Sequence, residues 1–203
     1  MTSVHLVWAH PRTDSLTART VAAIRHELRR SGVPFTEIDL YRSGFDPRLH
    51  EADEPDWGRA KRYSEEVMHL AAQAQEADVL IFVFPTWWAS VPAIMKGYID
   101  RVFNYGIAYG RRSELGPKVW RWITPVGETY EEFAAERHAD TSMAHVLNEG
   151  IARYSGATDS EVVFLYNALG EGLRDLPGHH VQLVEQAVET VREVLEPECV
   201  AVG

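Results

Sequence analysis

The chain has 203 residues, 45% hydrophobic and 25% charged, which supports a core without disulfide or metal staples and excludes disorder. Thirty acidic against twenty basic residues give a formal charge of −10, which disfavours nucleic acid and anionic membrane as partners. The apolar run at residues 79–84 is far short of the ~20 residues of a membrane span, and one cysteine, Cys199, excludes an internal disulfide framework.

The N-terminus has neither the basic nor the apolar region of a secretory signal, so a soluble, cytoplasmic protein is expected. A single domain over 1–203 is expected, with its elements alternating along the chain. Val4–Trp8 reads as a strand closed by Ala9-His10-Pro11. Leu16, Thr20, Ala23, Ile24 and Leu28 then recur at helical spacing behind the capping candidates Asp14 and Ser15. Phe35–Leu40 reads as a second strand, followed by a long polar loop at about 41–58. A helix is predicted over Arg59–Glu76 and a strand over Asp78–Phe84. The latter is apolar throughout rather than alternating, as a strand covered on both faces should be. Pro92 suits the first turn of a helix over Ala93–Phe103. Lys118–Thr124 and Glu161–Tyr166 read as strands four and five, with a helix over Ser142–Tyr154 between them. The last helix is predicted at about 178–195, its apolar stripe too short for a coiled coil.

Strict β/α alternation predicts an α/β fold with a parallel sheet and helices on both faces. Five such units suit the flavodoxin-like strand order 2-1-3-4-5, with a ligand outside the carboxyl ends of the strands. The loops after strands 1, 3 and 4 are therefore the ones to weigh. The first, residues 9–17, joins His10, Arg12 and three hydroxyl residues to a helix N-terminus, where amide N–H groups attract anions. Asp14, Ser15 and Thr17 equally suit the plain role of helix caps. The second, residues 84–92, sets Trp87 and Trp88 among prolines, a flat wall for a planar heterocycle or an apolar cap on the core. No Gly-x-Gly-x-x-Gly or Walker A sequence is present, and Gly170-Glu171-Gly172 reads as a turn. His138 and His145 share a helical spacing but lack the acids of a metal site. The adjacent His179 and His180 read as structural, Cys199 as a bystander, and Glu131, Glu132 and Glu136 as a solvated helix face.

The segment Phe84-Pro85-Thr86-Trp87-Trp88-Ala89-Ser90-Val91-Pro92, continuing through residue 103, resembles the hallmark of the flavodoxin-like NAD(P)H:quinone oxidoreductases. Ala9-His10 with Ser15-Leu16-Thr17, Asp39-Leu40-Tyr41, Phe45-Asp46-Pro47, Ile107-Ala108-Tyr109 and residues 150–156 agree in order, so the resemblance spans about residues 4–166. It implies a flavin, FAD or alternatively FMN, whose phosphate lies on His10, Ser15, Leu16 and Thr17. Its ring system would lie beside Pro85, Thr86, Trp87 and Trp88, and Thr124, Val126 and Gly127 would complete the cofactor site. Tyr130 and His138 fall at the family's catalytic positions, although His138 is two residues late. Tyr109 matches a substrate-pocket aromatic offered by the second subunit of a homodimer. Pro125 and Val126 depart from the family's Thr and Gly, and Arg121 in a central strand calls for an anionic partner. The implied activity passes two electrons from NADPH or NADH through the flavin to a quinone or similar electron-poor acceptor. A flavodoxin-like carrier or regulatory subunit, and a flavin-free relative, are the alternatives.

Overall fold

In the computed structural model, residues 2–56, 61–110, 115–116 and 118–195 are described. Five parallel strands form one sheet in the order β2-β1-β3-β4-β5, as the alternation predicts. They are β1 (Val4–Trp8), β2 (Phe35–Asp39), β3 (Val79–Val83), β4 (Val119–Pro125) and β5 (Asp159–Leu165). The helices are α1 (Leu16–Arg30), α2 (Glu65–Glu76), α3 (Ala93–Val102), α4 (Ala139–Ala144) and α5 (Leu176–Leu195).

The two-residue period of β3 explains the three layers. Val79, Ile81 and Val83 point to a core shared with α1 and α5, through Ile24, Leu28, Leu183 and Val188. Leu80, Phe82 and the following Phe84 point the other way, to a core with α2, α3 and α4 through Leu70, Met95, Tyr98 and Met143. Both faces are thus covered, which is why the segment has no polar alternation. Trp120 and Trp122 add bulk to the second core, with Phe82 stacked on Trp122 at 4.2 Å between centroids.

Two helix starts differ from expectation by three residues or more. The helix predicted from Arg59, a residue outside those described, begins at Glu65. Ser64 caps it, its hydroxyl accepting from the Val67 amide, while Asp53 accepts both the Ser64 amide (2.8 Å) and hydroxyl (3.0 Å). Tyr63, buried just before it, donates its phenol hydrogen to the Tyr105 carbonyl at 2.7 Å. Those tertiary bonds outweigh the helical propensity of the preceding residues. The helix predicted from Ser142 starts at Ala139 and continues as a π-helical stretch, His145–Arg153. A further π-helical segment, Glu131–Glu136, precedes it. There Thr129 and Glu132 cap each other: the Glu132 carboxylate accepts the Thr129 amide (3.1 Å) and hydroxyl (2.9 Å). Glu132 is therefore a capping residue rather than part of a plain solvated face. Cys199 lies outside the described residues.

The long loop is fastened to α3 by buried charge. Arg101 donates to Asp53 (2.8 Å) and Glu66 (2.8 Å), and also to the Asp46 carbonyl. Gly97 makes the approach possible, since a Cβ there would fall 2.3 Å from the Pro47 carbonyl oxygen. Arg121 also has its partners. On the outer edge of the sheet it pairs with Asp159 at 2.7 Å and Glu161 at 3.5 Å, both on β5.

Candidate active site

The three loops singled out by topology meet at the carboxyl end of the sheet. Hydrogen bonds join them in series. The Ala9 amide donates to the Val83 carbonyl (3.0 Å), the Thr86 amide to the Pro125 carbonyl (2.9 Å), and the Thr86 and Thr124 hydroxyls bond each other at 2.7 Å. The rings of His10 and Trp87 lie 6.3 Å apart, tilted by 57°. Sequence reasoning thus picked residues that do converge.

In the first loop, Ser15 is the N-cap of α1. Its hydroxyl accepts from the Ala18 amide (3.1 Å) and donates to the Arg12 carbonyl (3.2 Å). Leu16 and Thr17 are buried in the first turn, whose amides have no acceptor within the helix. The Arg12 amide donates to Nδ1 of His10 at 3.0 Å, which ties the ring to the backbone of its own loop. Burial, reinforced by the charges of Arg12 and Arg42, holds the His10 pKa below its ordinary value. Sequence reasoning missed Arg42. Its guanidinium donates to the carbonyls of His10 (3.1 Å) and Pro11 (3.0 Å), pairs with Asp39 (2.8 Å) and lies over the Trp8 ring at 5.4 Å. The cue available in the sequence was an arginine just past the tip of strand 2, beside strand 1 in this topology.

The second loop is strained. Trp87 and Ser90 exchange two backbone hydrogen bonds of 3.1 Å around a turn in which Trp88 (φ 53°) and Ala89 (φ 49°) are both left-handed. Neither is glycine, and such conformations each cost roughly 1–2 kcal/mol for an L-residue. Trp88 buries nothing, its side chain being 101% exposed. A strained turn presenting a bare indole is the pattern of a functional surface rather than of core packing. Pro85 is buried beneath it.

Thr86, Trp88 and Ala89 form one wall of a cavity of about 480 Å³. Val126, Gly127 and Glu128 from the third loop, with Phe133, Arg137 and Ala139, complete it. Thr124 is fully buried beneath, held by Thr86. One expectation needs correction. The Val126 amide does not face a ligand, because it donates to the Leu165 carbonyl at 2.9 Å and extends the β4–β5 ladder. Val126 lines the cavity with its side only. Gly127 follows beyond that last ladder bond, and a Cβ there would sit 3.0 Å from the Leu169 side chain.

Tyr130 lies between Glu128 and Phe133, its ring 59% exposed and edge-on to Tyr166 at 5.4 Å. Burial raises the Tyr166 phenol to about 12. His138 falls between two lining residues but is itself exposed, with a left-handed backbone (φ 51°) at the junction into α4. Its carbonyl accepts from Ser142, and among the described residues no hydrogen bond joins it to Tyr130. Arg137, not predicted from sequence, is the residue of that pair that reaches the cavity. Tyr109 is not among the residues lining that cavity and packs between Tyr105 (5.8 Å) and Tyr154 (5.6 Å). Burial raises the Tyr109 phenol.

A hydroxyl-rich loop at a helix N-terminus, joined by a ring contact to a strained aromatic turn beside an open cavity, lies where a parallel α/β sheet of this strand order binds its ligands, outside the carboxyl ends of the strands. The chain belongs to the flavodoxin-like fold family, whose model matches residues 2–190. It is 40% identical over 197 residues to an uncharacterized NAD(P)H oxidoreductase of Escherichia coli (strain K12), covering 95% of this chain and 96% of that one. It is 34% identical to the ribosyldihydronicotinamide dehydrogenase [quinone] of Rattus norvegicus over 122 residues, 52% of this chain and 53% of the other. Among solved structures, the NAD(P)H:quinone oxidoreductase from Methanothermobacter marburgensis superposes with a TM-score of 0.80 at 24% identity, covering 94% of each chain. An FMN-dependent NADH-azoreductase from Bacillus anthracis in complex with FMN gives 0.68 at 13% identity, covering 95% of this chain and 99% of that one. These structural likenesses establish the fold.

Proposed function

We propose that this chain is an FMN-binding NAD(P)H oxidoreductase that reduces quinone-like acceptors, working as a homodimer. The observation that carries the reading is the meeting of His10 with Trp87 and of Thr86 with Thr124 at the carboxyl end of the sheet, with an open cavity lined by Thr86 beside them. FMN-bound proteins of the same fold favour FMN over FAD. The residues fit the group: first-turn amides and the nearby His10 ring suit a phosphate, and the strained Trp88 turn opposite Gly127 leaves room for a flat ring system. When bound, FMN supplies two-electron transfer between NAD(P)H and the acceptor.

The chain's own residues bind, orient and move protons. Leu16 and Thr17 offer their amides to the phosphate, and Ser15 holds the turn that aims them. Pro85, Thr86 and Trp87 border the rings, with Thr124 buttressing Thr86. Gly127 offers an amide toward the ring edge where charge develops. Tyr130, exposed two residues past the lining Glu128, offers a phenol proton for the reduced acceptor, and His138, exposed beside the lining Arg137, exchanges protons with solvent. Tyr109 serves the site of the second copy, which is consistent with its lying apart from the cavity of its own chain. Exposed Tyr154 beside it offers apolar surface for that contact.

Purification without added flavin, heat release and chromatography should yield FMN, and NADPH or NADH should be oxidised with menadione as acceptor. A colourless chain that ignores added FMN refutes the reading. A yellow chain that leaves NAD(P)H untouched favours an electron carrier instead.

A further inference from the structure

Resting on the reductase reading above, we propose that Arg137, restrained by Glu128, selects acceptors bearing an anionic group on an aromatic ring, such as a sulfonate or a carboxylate. Of the residues lining the larger cavity, Arg137 and Glu128 are the charged ones. The Arg137 guanidinium lies 5.9 Å from the centroid of buried Phe133, so a flat apolar surface and a cation share one wall. Trp88 faces them from the other.

The guanidinium is held in place without being used up. Nε donates to the Glu132 carbonyl at 3.2 Å, and Nη2 donates to Glu128. Arginine has five N–H donors, so those on Nη1 remain for a ligand. The Glu132 carboxylate accepts its hydrogen bonds from Thr129 and acts on Arg137 only through space, the least of the influences on that carboxylate. Arg137 and Glu128 are each about half exposed, and an ion pair of that kind is weak enough for a ligand anion to displace the carboxylate. Two oxygens of a sulfonate or carboxylate can then take the fork with two parallel bonds, a geometry a single neutral carbonyl cannot match. On a chain of formal charge −10, attraction for an anion has to be local, and this cavity supplies it.

The test compares naphthalene-2-sulfonate with neutral naphthalene-2-sulfonamide, titrated by tryptophan fluorescence into FMN-loaded and flavin-free protein. The unaltered chain should favour the sulfonate. Arg137→Gln should lower the sulfonate-to-sulfonamide preference by about tenfold, and Arg137→Lys should restore part of it. Glu128→Gln should move it the opposite way, by about threefold. The KM ratio of 1,2-naphthoquinone-4-sulfonate to menadione should follow the same order. No preference in the unaltered chain, the same preference in Arg137→Gln, or a fall in Glu128→Gln each overturns the proposal. Failure to retain FMN or oxidise NAD(P)H refutes the reductase reading alone, since the flavin-free titration still decides this one.

Discussion

Replacing Arg42 should loosen the grip of the first loop on the flavin phosphate without touching the phosphate itself. The side chain straps two consecutive carbonyls, His10 and Pro11, at 3.1 and 3.0 Å and is anchored by Asp39 and Trp8. Hydrogen bonds from a charged donor contribute ~1.5–3 kcal/mol each when well buried. Arg42 is 35% exposed, and the loop keeps its Ser15 cap, so about half of one such bond should reach the binding step. That is roughly 0.8–1.5 kcal/mol, or about four- to twelvefold in Kd. FMN titration by quenching of flavin fluorescence reads it directly. Arg42→Gln should weaken FMN by that factor and leave riboflavin, which lacks the phosphate, within about twofold. Urea unfolding of the same variant separates loop disorder from global loss. Equal losses for FMN and riboflavin, or none for either, refute the strap.

Trp87→Ala should weaken FMN retention by several-fold through lost ring contact, measured by equilibrium dialysis. Trp88→Ala should change urea stability by less than about 0.5 kcal/mol, because the indole packs on nothing, while raising KM for the acceptor in steady-state assays. Asp53→Ala should cost about 3–5 kcal/mol in urea unfolding, since it strips a buried partner from Arg101. Glu27, nearly buried between α1 and α5, is held down to about 2, chiefly by hydrogen bonding from Arg30 and then from Arg192 and Ser31. Its folded value lies below the unfolded one, so its contribution is complete above about pH 4.5 and is lost as pH falls toward 2. Thermal melts of Glu27→Gln between those limits should show a shallower acid dependence than the unaltered chain.

The layered fold was legible because hydrophobic periodicity is a local signal. Residues 79–84 declare a strand buried on both faces, and the tips of strands 1, 3 and 4 follow from strand order alone. Where boundaries slipped, a long-range bond had intervened: Asp53 on Ser64 delays α2, and Tyr63 reaches across to Tyr105. The π-helical geometry at residues 131–136 and 145–153 leaves no trace in composition, because apolar spacing there still satisfies a helical period. Within the site, the residues of the three loops were visible from topology. Their hydrogen-bond roles were not, since Val126 spends its amide on Leu165 across the sheet, a partner forty positions away less one. Arg42 and Arg137 were overlooked for the same reason: each acts on backbone carbonyls or a cavity wall that only the folded chain assembles.

The acids that settle Arg121 have an effect beyond that residue. β5 ends the sheet, so its outward amides and carbonyls form a template onto which another chain's strand could add. Exposed Asp159 and Glu161 set like charges along that border, and a copy approaching edge to edge would bring its own acids against them. Neutralising both would therefore remove a safeguard against fibrous self-association and at the same time strip the largely buried Arg121 of these carboxylate partners.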